Sequence, residues 1–137
     1  MNIYIFGNGN ISFNNFKKYY ESVITKYAAL ENTSFLLCDF KGVDVLAMEV
    51  LKCTSPNVSV YHIGERPRYL SDKFKTKVSS WKLIGGFEND EQRDAKAIQN
   101  CTHYIAIDFN ADANRISGTQ KNIDHCEKMN KIKLTAE

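Results

Sequence analysis

The sequence predicts an α/β fold of three layers, in which a doubly wound, mostly parallel five-stranded sheet of Rossmann-like type carries helices on both faces. Two observations predict it. Short apolar, β-prone runs alternate with longer segments whose apolar residues recur every three or four positions. Polar and glycine residues follow each apolar run. This alternation is typical of parallel strands joined by right-handed helical crossovers.

The size and composition of the chain predict a single domain at residues 1–137. The sequence has 137 residues, of which 43% are apolar and 25% charged. This balance is typical of one globular core rather than of a disordered or fibrous chain.

The first part of the sequence is predicted to form a strand followed by a helix. Residues 2–6 form an apolar run that stops at Gly7, where glycines and asparagines tolerate positive φ and break a strand. Ser12 is suited to cap a helix that runs to about Leu30. The buried face of this helix is predicted to carry Phe13, Phe16, Tyr20, Val23, Ile24 and Tyr27.

The middle of the chain repeats this unit. Residues 34–38 and 58–63 predict two further strands, and residues 43–52 predict the helix between them. The polar stretch 64–86 is predicted to be irregular, and it is too long to be a simple connection.

The last part of the sequence is predicted to form two helices and two strands. Asn89 and Asp90 can cap a helix that runs through Cys101, and residues 103–107 form the fourth strand. Ser117 opens a helix to Met129, and residues 131–134 form the last strand.

The strand exits of such a sheet are where a ligand binds, because open parallel sheets bind ligands outside the carboxyl ends of their strands. Polar, glycine and arginine residues concentrate at these exits. The predicted ligand-binding residues are Gly7, Asn8, Asn10, Asp39, Gly42, Asp44, His62, Gly64, Arg66, Arg68, Asp108, Asn110, Arg115, Ser117, Gly118 and Thr119.

Arg66 and Arg68 are the first choice for an anion contact, because a guanidinium fork suits phosphate or carboxylate. The alternative is that these arginines cap helices or pair with Glu65 and Asp72. His62 could serve in acid–base chemistry, but a lone histidine without an evident partner is more often structural.

The start of the last helix, Ser117-Gly118-Thr119, offers backbone N–H groups, hydroxyls and a positive dipole end, which suit a phosphate. The alternative is a simple helix cap. Gly7 and Gly9 lack the third glycine of a dinucleotide fingerprint, which disfavours a Rossmann dehydrogenase.

Charge and cysteine usage exclude several classes of protein. The 18 Lys+Arg and 16 Asp+Glu leave a formal charge of +2, which argues against general nucleic-acid binding. No apolar run approaches the ~20 residues of a membrane span, and the N-terminus lacks the pattern of a signal peptide, so a cytoplasmic protein is expected. The four cysteines form no CxxC pair, which predicts buried reduced thiols and no metal site. No motif predicts a cofactor.

Several short motifs resemble the SLOG superfamily, the Rossmann-like group that includes the LOG phosphoribohydrolases and the DprA proteins. These motifs are Gly42-Val43-Asp44 with Ala47, Val60 to Gly64 with Pro67-Arg68, Arg93-Asp94 followed by Asn100-Cys101-Thr102, and Ser117 to Asn122. The resemblance implies a nucleotide-derived ligand with Gly118 and Thr119 near its phosphate, and Gly42 and Asp44 near its ribose or base. Related small folds commonly pair through helix faces, so a homo-oligomer is also expected.

One departure from this pattern bears on activity. The LOG hydrolases carry a glutamate where this chain has Asn122, and Arg115-Ile116-Ser117 replaces their PGG. An amide cannot exchange a proton as a carboxylate does, so the leading hypothesis is a protein that senses or sequesters its ligand.

Two other hypotheses stay open. One is an enzyme of the N-glycosidic bond, either a nucleoside deoxyribosyltransferase, a nucleotide hydrolase or an NAD-cleaving protein. Its carboxylate would come from Asp44, Asp108, Asp112 or Glu49, with Asp44 as the first choice. The other is a structural or protein-interaction module.

Overall fold

The fold is a six-stranded sheet between two layers of helices, seen in a computed structural model that describes residues 1–136. Every strand pair is parallel, in the order β4-β3-β2-β1-β5-β6. The strands are β1 Asn2–Ile5, β2 Ser34–Cys38, β3 Val58–Ile63, β4 Lys82–Phe87, β5 His103–Ile105 and β6 Ile132–Lys133. The predicted parallel α/β architecture is confirmed.

The helices divide between the two faces of the sheet. They are α1 Phe13–Phe16, α2 Ser22–Ala28, α3 Val43–Leu51, α4 Asp90–Asn100 and α5 Gly118–Lys128. A π-helical turn at Lys17–Glu21 joins α1 and α2 into one continuous segment. This segment and α3 pack on one face, while α4 and α5 pack on the other. Within residues 1–136, no helix combines the length and apolarity needed to cross a bilayer.

Both faces of the sheet are buried because side chains alternate along each strand. In β1, Ile3 and Ile5 point into the core beneath α2 and α3, whereas Tyr4 points into the core beneath α4 and α5. Burial on both sides explains why the central strands read as continuous apolar runs in the sequence.

The prediction of five strands is wrong, because β4 begins in the stretch 64–86 that was predicted to be irregular and ends at Phe87. β4 is an edge strand paired only with β3, and most of its side chains are exposed or half-buried. Gly85 and Gly86 in its centre have low strand propensity. An exposed, glycine-containing strand leaves neither an apolar run nor a clear alternation.

The predicted face of the first helix is wrong at Phe13, whose side chain is 66% exposed. The π turn at Lys17–Glu21 holds more residues per turn than an α-helix and rotates α1 relative to α2. Phe16 and Tyr20 remain buried and stack on each other, with ring centroids 5.5 Å apart.

The four cysteines are free thiols, as predicted. Cys38, Cys101 and Cys126 are buried, but the prediction of burial is wrong for Cys53, which is exposed just beyond the end of α3.

Candidate functional site

A cleft of about 340 Å³ opens at the carboxyl edge of the sheet, between the N-termini of α4 and α5. It lies over β1, where the strand order reverses, and such topological switch points are the usual ligand sites of doubly wound sheets. The predicted residues that line it are Gly7, Asn8, Asp44, Asn110, Arg115, Ser117, Gly118 and Thr119.

Asn8 connects the strand exits beneath this cleft. Its side chain is buried, and its Nδ2 donates to Asp108 Oδ1 at 2.9 Å and to Thr119 Oγ1 at 3.2 Å. Its Oδ1 accepts from the backbone N–H of Phe109 at 2.8 Å. The amide therefore fixes the loop after β1 to the loop after β5 and to the start of α5.

Asp108 shapes the loop after β5 rather than lining the cleft. It accepts from Ser117 Oγ at 2.6 Å and from the backbone N–H of Ala111 at 2.8 Å. Partial burial acts to raise the pKa of Asp108, but hydrogen bonds from Asn8, Ser117 and the loop backbone outweigh it and hold the pKa below its ordinary value. Asp108 is thus an ionised anchor for the loop that leads to α5.

Helix α5 begins in the cleft. Ser117 is its N-cap, because Ser117 Oγ accepts from the N–H of Gln120 at 3.0 Å. Gly118 follows with no positive φ, and a Cβ built on it meets nothing within 4 Å. Neither backbone strain nor packing therefore requires a glycine at position 118. The first N–H groups of a helix have no partner within it, so they can bind an acceptor in this space.

Arg115 brings a cation to the mouth of the cleft. Backbone hydrogen bonds between Asp112 and Arg115 turn the loop back on itself. The Arg115 side chain is exposed, and it forms no ion pair with a residue in the range 1–136. Its guanidinium donors are therefore open to a ligand.

Sequence reasoning missed Arg93 as a site residue, although it is the central cation of the cleft wall. Its side chain is only 5% exposed, and Nη1 lies 3.0 Å from Asp39 Oδ1 and 2.9 Å from Asp90 Oδ1. Its Nε and Nη2 donate to Asp94 Oδ1 at 3.1 and 3.0 Å. Three carboxylates occupy the guanidinium, so Arg93 builds the wall rather than offering a free donor.

Asp39 lies behind this wall. Burial acts to raise its pKa, but hydrogen bonds and charge from Arg68 and Arg93 outweigh burial and lower the pKa below its ordinary value. Arg68 donates to Asp39 through both its backbone N–H, at 2.8 Å, and Nη2, at 3.1 Å. The structure therefore places Arg68 in a carboxylate pair, not in the lining of the cleft.

Asp44 is a buried carboxylate that lines the cleft. Its Oδ2 accepts from the N–H of Phe40 at 3.0 Å, and Oδ1 has no hydrogen-bond partner among residues 1–136. Burial raises the pKa of Asp44 to about 7, against the lowering effect of the Phe40 hydrogen bond and of Arg93. Asp44 can therefore give or take a proton near neutral pH.

The remaining predicted residues lie outside the cleft. His62 is buried in β3 against Gly85, where a Cβ would approach the imidazole within 2.1 Å. Gly64 and Arg66 are exposed in the connection after β3. Asn10 accepts from Asn110 Nδ2 at 2.9 Å on the exposed rim.

Gly42 has a structural role at the start of α3. Its φ is +82°, and a Cβ there would lie 2.4 Å from the carbonyl oxygen of Asn8. This close approach of two strand exits requires a glycine.

Asn122 lines the cleft one turn into α5. Its Nδ2 donates to Asp94 Oδ2 at 3.0 Å and so connects the two helices that form the walls. Asn122 thus faces the cleft with an amide.

Aromatic and sulfur side chains form the floor, namely Tyr4 and Phe6 of the β1 segment and Cys38 of β2. Burial raises the pKa of the Cys38 thiol, which keeps it neutral. Among residues 1–136, no three His, Cys, Asp or Glu side chains are arranged to hold a metal ion.

No family model, curated protein or solved structure matches this sequence. The resemblance to the SLOG superfamily therefore remains a prediction from the motifs.

Proposed function

We propose that the cleft binds a nucleotide-derived small molecule, which the protein senses or sequesters. The observation that carries this proposal is the open space at Gly118, at the first turn of α5 and within the cleft. A glycine that the fold does not require is expected where a ligand approaches the backbone closely.

The ligand phosphate would lie at the start of α5, near Gly118, Thr119 and the open guanidinium of Arg115. The rest of the ligand would extend over β1 toward Asp44 at the exit of β2. The exits of β2 and β5 are about 10 Å apart, because adjacent strands lie ~4.8 Å apart and β1 separates them. This span is comparable to the length of a nucleoside monophosphate.

The direct test is native mass spectrometry of the protein as purified and after addition of AMP, GMP, CMP and UMP. We expect an added mass of one nucleoside phosphate per chain. Spectra that contain only the mass of the chain in every case would contradict the proposal.

Arg115 and Arg66 form a matched pair for the same measurement. Both are exposed arginines at strand exits, but only Arg115 lines the cleft. Arg115→Ala should weaken binding roughly tenfold or more, since a hydrogen bond to a charged group contributes about 1.5–3 kcal/mol. Arg66→Ala should bind like the wild type.

A second candidate function is cleavage or transfer at the N-glycosidic bond, and Asp44 is the observation that favours it. A buried carboxylate in a cleft, with its pKa raised to about 7, is suited to acid–base work or to stabilising an oxocarbenium-like centre. Chromatography of nucleotides and NAD after incubation with the protein tests it. Release of free base that scales with protein and disappears in Asp44→Asn would favour the enzyme over the binder.

Self-association through helix faces is a further part of the proposal. An apolar groove between α1, α2 and α3 is lined by Phe13, Leu46 and Val50. Sedimentation of the wild type and of Phe13→Ser tests it, and we expect the variant to shift the chain toward the monomer.

A further inference from the structure

We propose that Phe40 is the platform on which the planar base of the ligand stacks, and that Arg68 is the positioning residue that holds this ring in place. This inference rests on the proposed function, because it assigns the base end of the same ligand. It also gives Arg68 a role that does not require contact with the phosphate.

Phe40 is a partly exposed aromatic side chain at the edge of the cleft. It follows β2 directly, lines the cleft, and is 38% exposed. The backbone N–H of Phe40 donates to Asp44 Oδ2 at 3.0 Å, so the loop that carries the ring is tied to the first turn of α3. An apolar ring in this position remains open to a planar ligand.

Two neighbours pack against the Phe40 ring. The guanidinium carbon of Arg68 lies 5.5 Å from the ring centroid, which is a cation–π distance. At another side, a Cβ built on Gly9 would come within 2.6 Å of the ring. The glycine therefore lets the loop after β1 pack closely against Phe40.

Two of the three guanidinium nitrogens of Arg68 already face carboxylates. Its Nη2 lies 3.1 Å from Asp39 Oδ1 and 3.3 Å from Asp90 Oδ1, and Nε lies 3.4 Å from Asp39 Oδ2. These carboxylates hold the guanidinium in the position that places its carbon over the Phe40 ring. A fixed guanidinium against the ring reduces the rotamer freedom that a ligand would otherwise have to remove on binding.

The ligand class follows from this geometry. Stacking is tolerant of base identity, because every base presents a π-face. Phe40 should therefore distinguish a nucleotide from a sugar phosphate that lacks the base, without selecting strongly among bases.

The first test replaces Phe40 by a fluorescent tryptophan, whose emission reports contact with the ligand. In Phe40→Trp, AMP should quench the emission of the new indole, while ribose 5-phosphate should leave it unchanged. The native Trp81 is buried outside the cleft, with Nε1 bonded to the Ser55 carbonyl at 2.8 Å, so the wild type supplies the baseline. AMP that binds this variant by calorimetry without quenching the indole would overturn the proposal.

The second test uses truncation with a matched control. Phe40→Leu should lower the affinity for AMP roughly tenfold or more and leave that for ribose 5-phosphate unchanged. Phe109→Leu removes another rim ring, which is 43% exposed and packs on Tyr19 rather than lining the cleft, and it should bind both probes like the wild type. Equal AMP affinity in Phe40→Leu and the wild type would overturn the role of Phe40 as a platform but not the proposed ligand site.

Arg68→Met separates positioning from phosphate binding. It should weaken AMP binding and leave ribose 5-phosphate binding unchanged, whereas a phosphate contact would weaken both. Equal loss for the two probes would overturn the positioning role. If the wild type binds none of AMP, GMP, CMP and UMP, the proposed function fails and the platform fails with it.

Discussion

At the scale of single residues, Gly118 and Gly42 show two different reasons for a glycine. Gly42 has a φ of +82°, and a Cβ there would lie 2.4 Å from the carbonyl oxygen of Asn8. Gly118 has neither a positive φ nor a neighbour within 4 Å of a built Cβ. The fold therefore requires the glycine at position 42 but not the one at position 118.

Alanine substitution at these two glycines should have opposite effects on stability. Gly118→Ala should keep or raise the free energy of unfolding by a few tenths of a kcal/mol, because alanine is the better helix former. Gly42→Ala should lose more than about 1 kcal/mol through strain and collision with Asn8. Urea denaturation measures both. A marked loss in Gly118→Ala would mean that the fold does require this glycine.

Asp44 should give the protein a measurable pH dependence of stability. Its pKa rises from 3.8 to about 7 on folding, so between these values the folded protein binds more protons than the unfolded chain. The free energy of unfolding contributed by Asp44 therefore falls as the pH rises through this window.

Asp44→Asn should remove this contribution, because the amide does not titrate and its oxygen can still accept from the Phe40 N–H. The stability of the variant relative to wild type should rise by roughly 2–3 kcal/mol between about pH 5 and about pH 8. Urea denaturation at several pH values measures the difference. A difference that does not change with pH would contradict the raised pKa.

At the scale of elements, the π turn places a tyrosine that joins two strand exits. Tyr20 Oη donates to the carbonyl of Phe6 at 2.9 Å and accepts from the N–H of Ile107 at 2.9 Å. The irregular helix thus holds together the exits of β1 and β5, which flank the cleft.

Tyr20→Phe should destabilise the protein by about 1–3 kcal/mol, because it leaves the buried Phe6 carbonyl and the half-buried Ile107 N–H without their partner. Tyr19→Phe is the matched control on the same turn, since the Tyr19 hydroxyl makes no hydrogen bond within residues 1–136. Thermal or urea unfolding compares the two variants. Similar stability losses in both would refute this role of the Tyr20 hydroxyl.

At the start of α4, Arg93 forms ion pairs with three carboxylates. Arg93→Met should cost about 3–5 kcal/mol, because removing a buried cation leaves Asp39, Asp90 and Asp94 uncompensated. Arg68→Met should cost less, since the Arg68 side chain is 46% exposed and shares only two of these carboxylates. Equilibrium unfolding of both variants measures how much free energy of unfolding each one loses. Equal losses of stability would contradict the central role of Arg93.

At the scale of the whole molecule, the central strands could be predicted because burial on both faces makes them continuous apolar runs, as in Ser34–Cys38. The caps Asn89 and Ser117 could be predicted because their side-chain oxygens accept from the third residue of each helix. The edge strand β4 could not be predicted, because its exposed side chains and two glycines leave no apolar or alternating pattern in the sequence.

The site could be predicted only where it lies on strand exits. Gly118 and Asp44 follow from the topology of a parallel sheet. Arg93 lies inside a helix, and its pairing with Asp39 depends on how α4 packs beside β2, which no local pattern encodes. The ion pair of Arg93 with Asp90, three residues earlier on the same helix, was the one local signal.

The most direct test of the proposed ligand site is calorimetric titration of the wild type and of Gly118→Leu with AMP, GMP, CMP and UMP. We expect at least one of these to bind the wild type with one molecule per chain. Gly118→Leu should lose this binding while keeping its unfolding temperature, and Ala113→Leu, in the exposed loop outside the cleft, should keep both. Absence of binding to the wild type, or undiminished binding to Gly118→Leu, would contradict a ligand site at the start of α5.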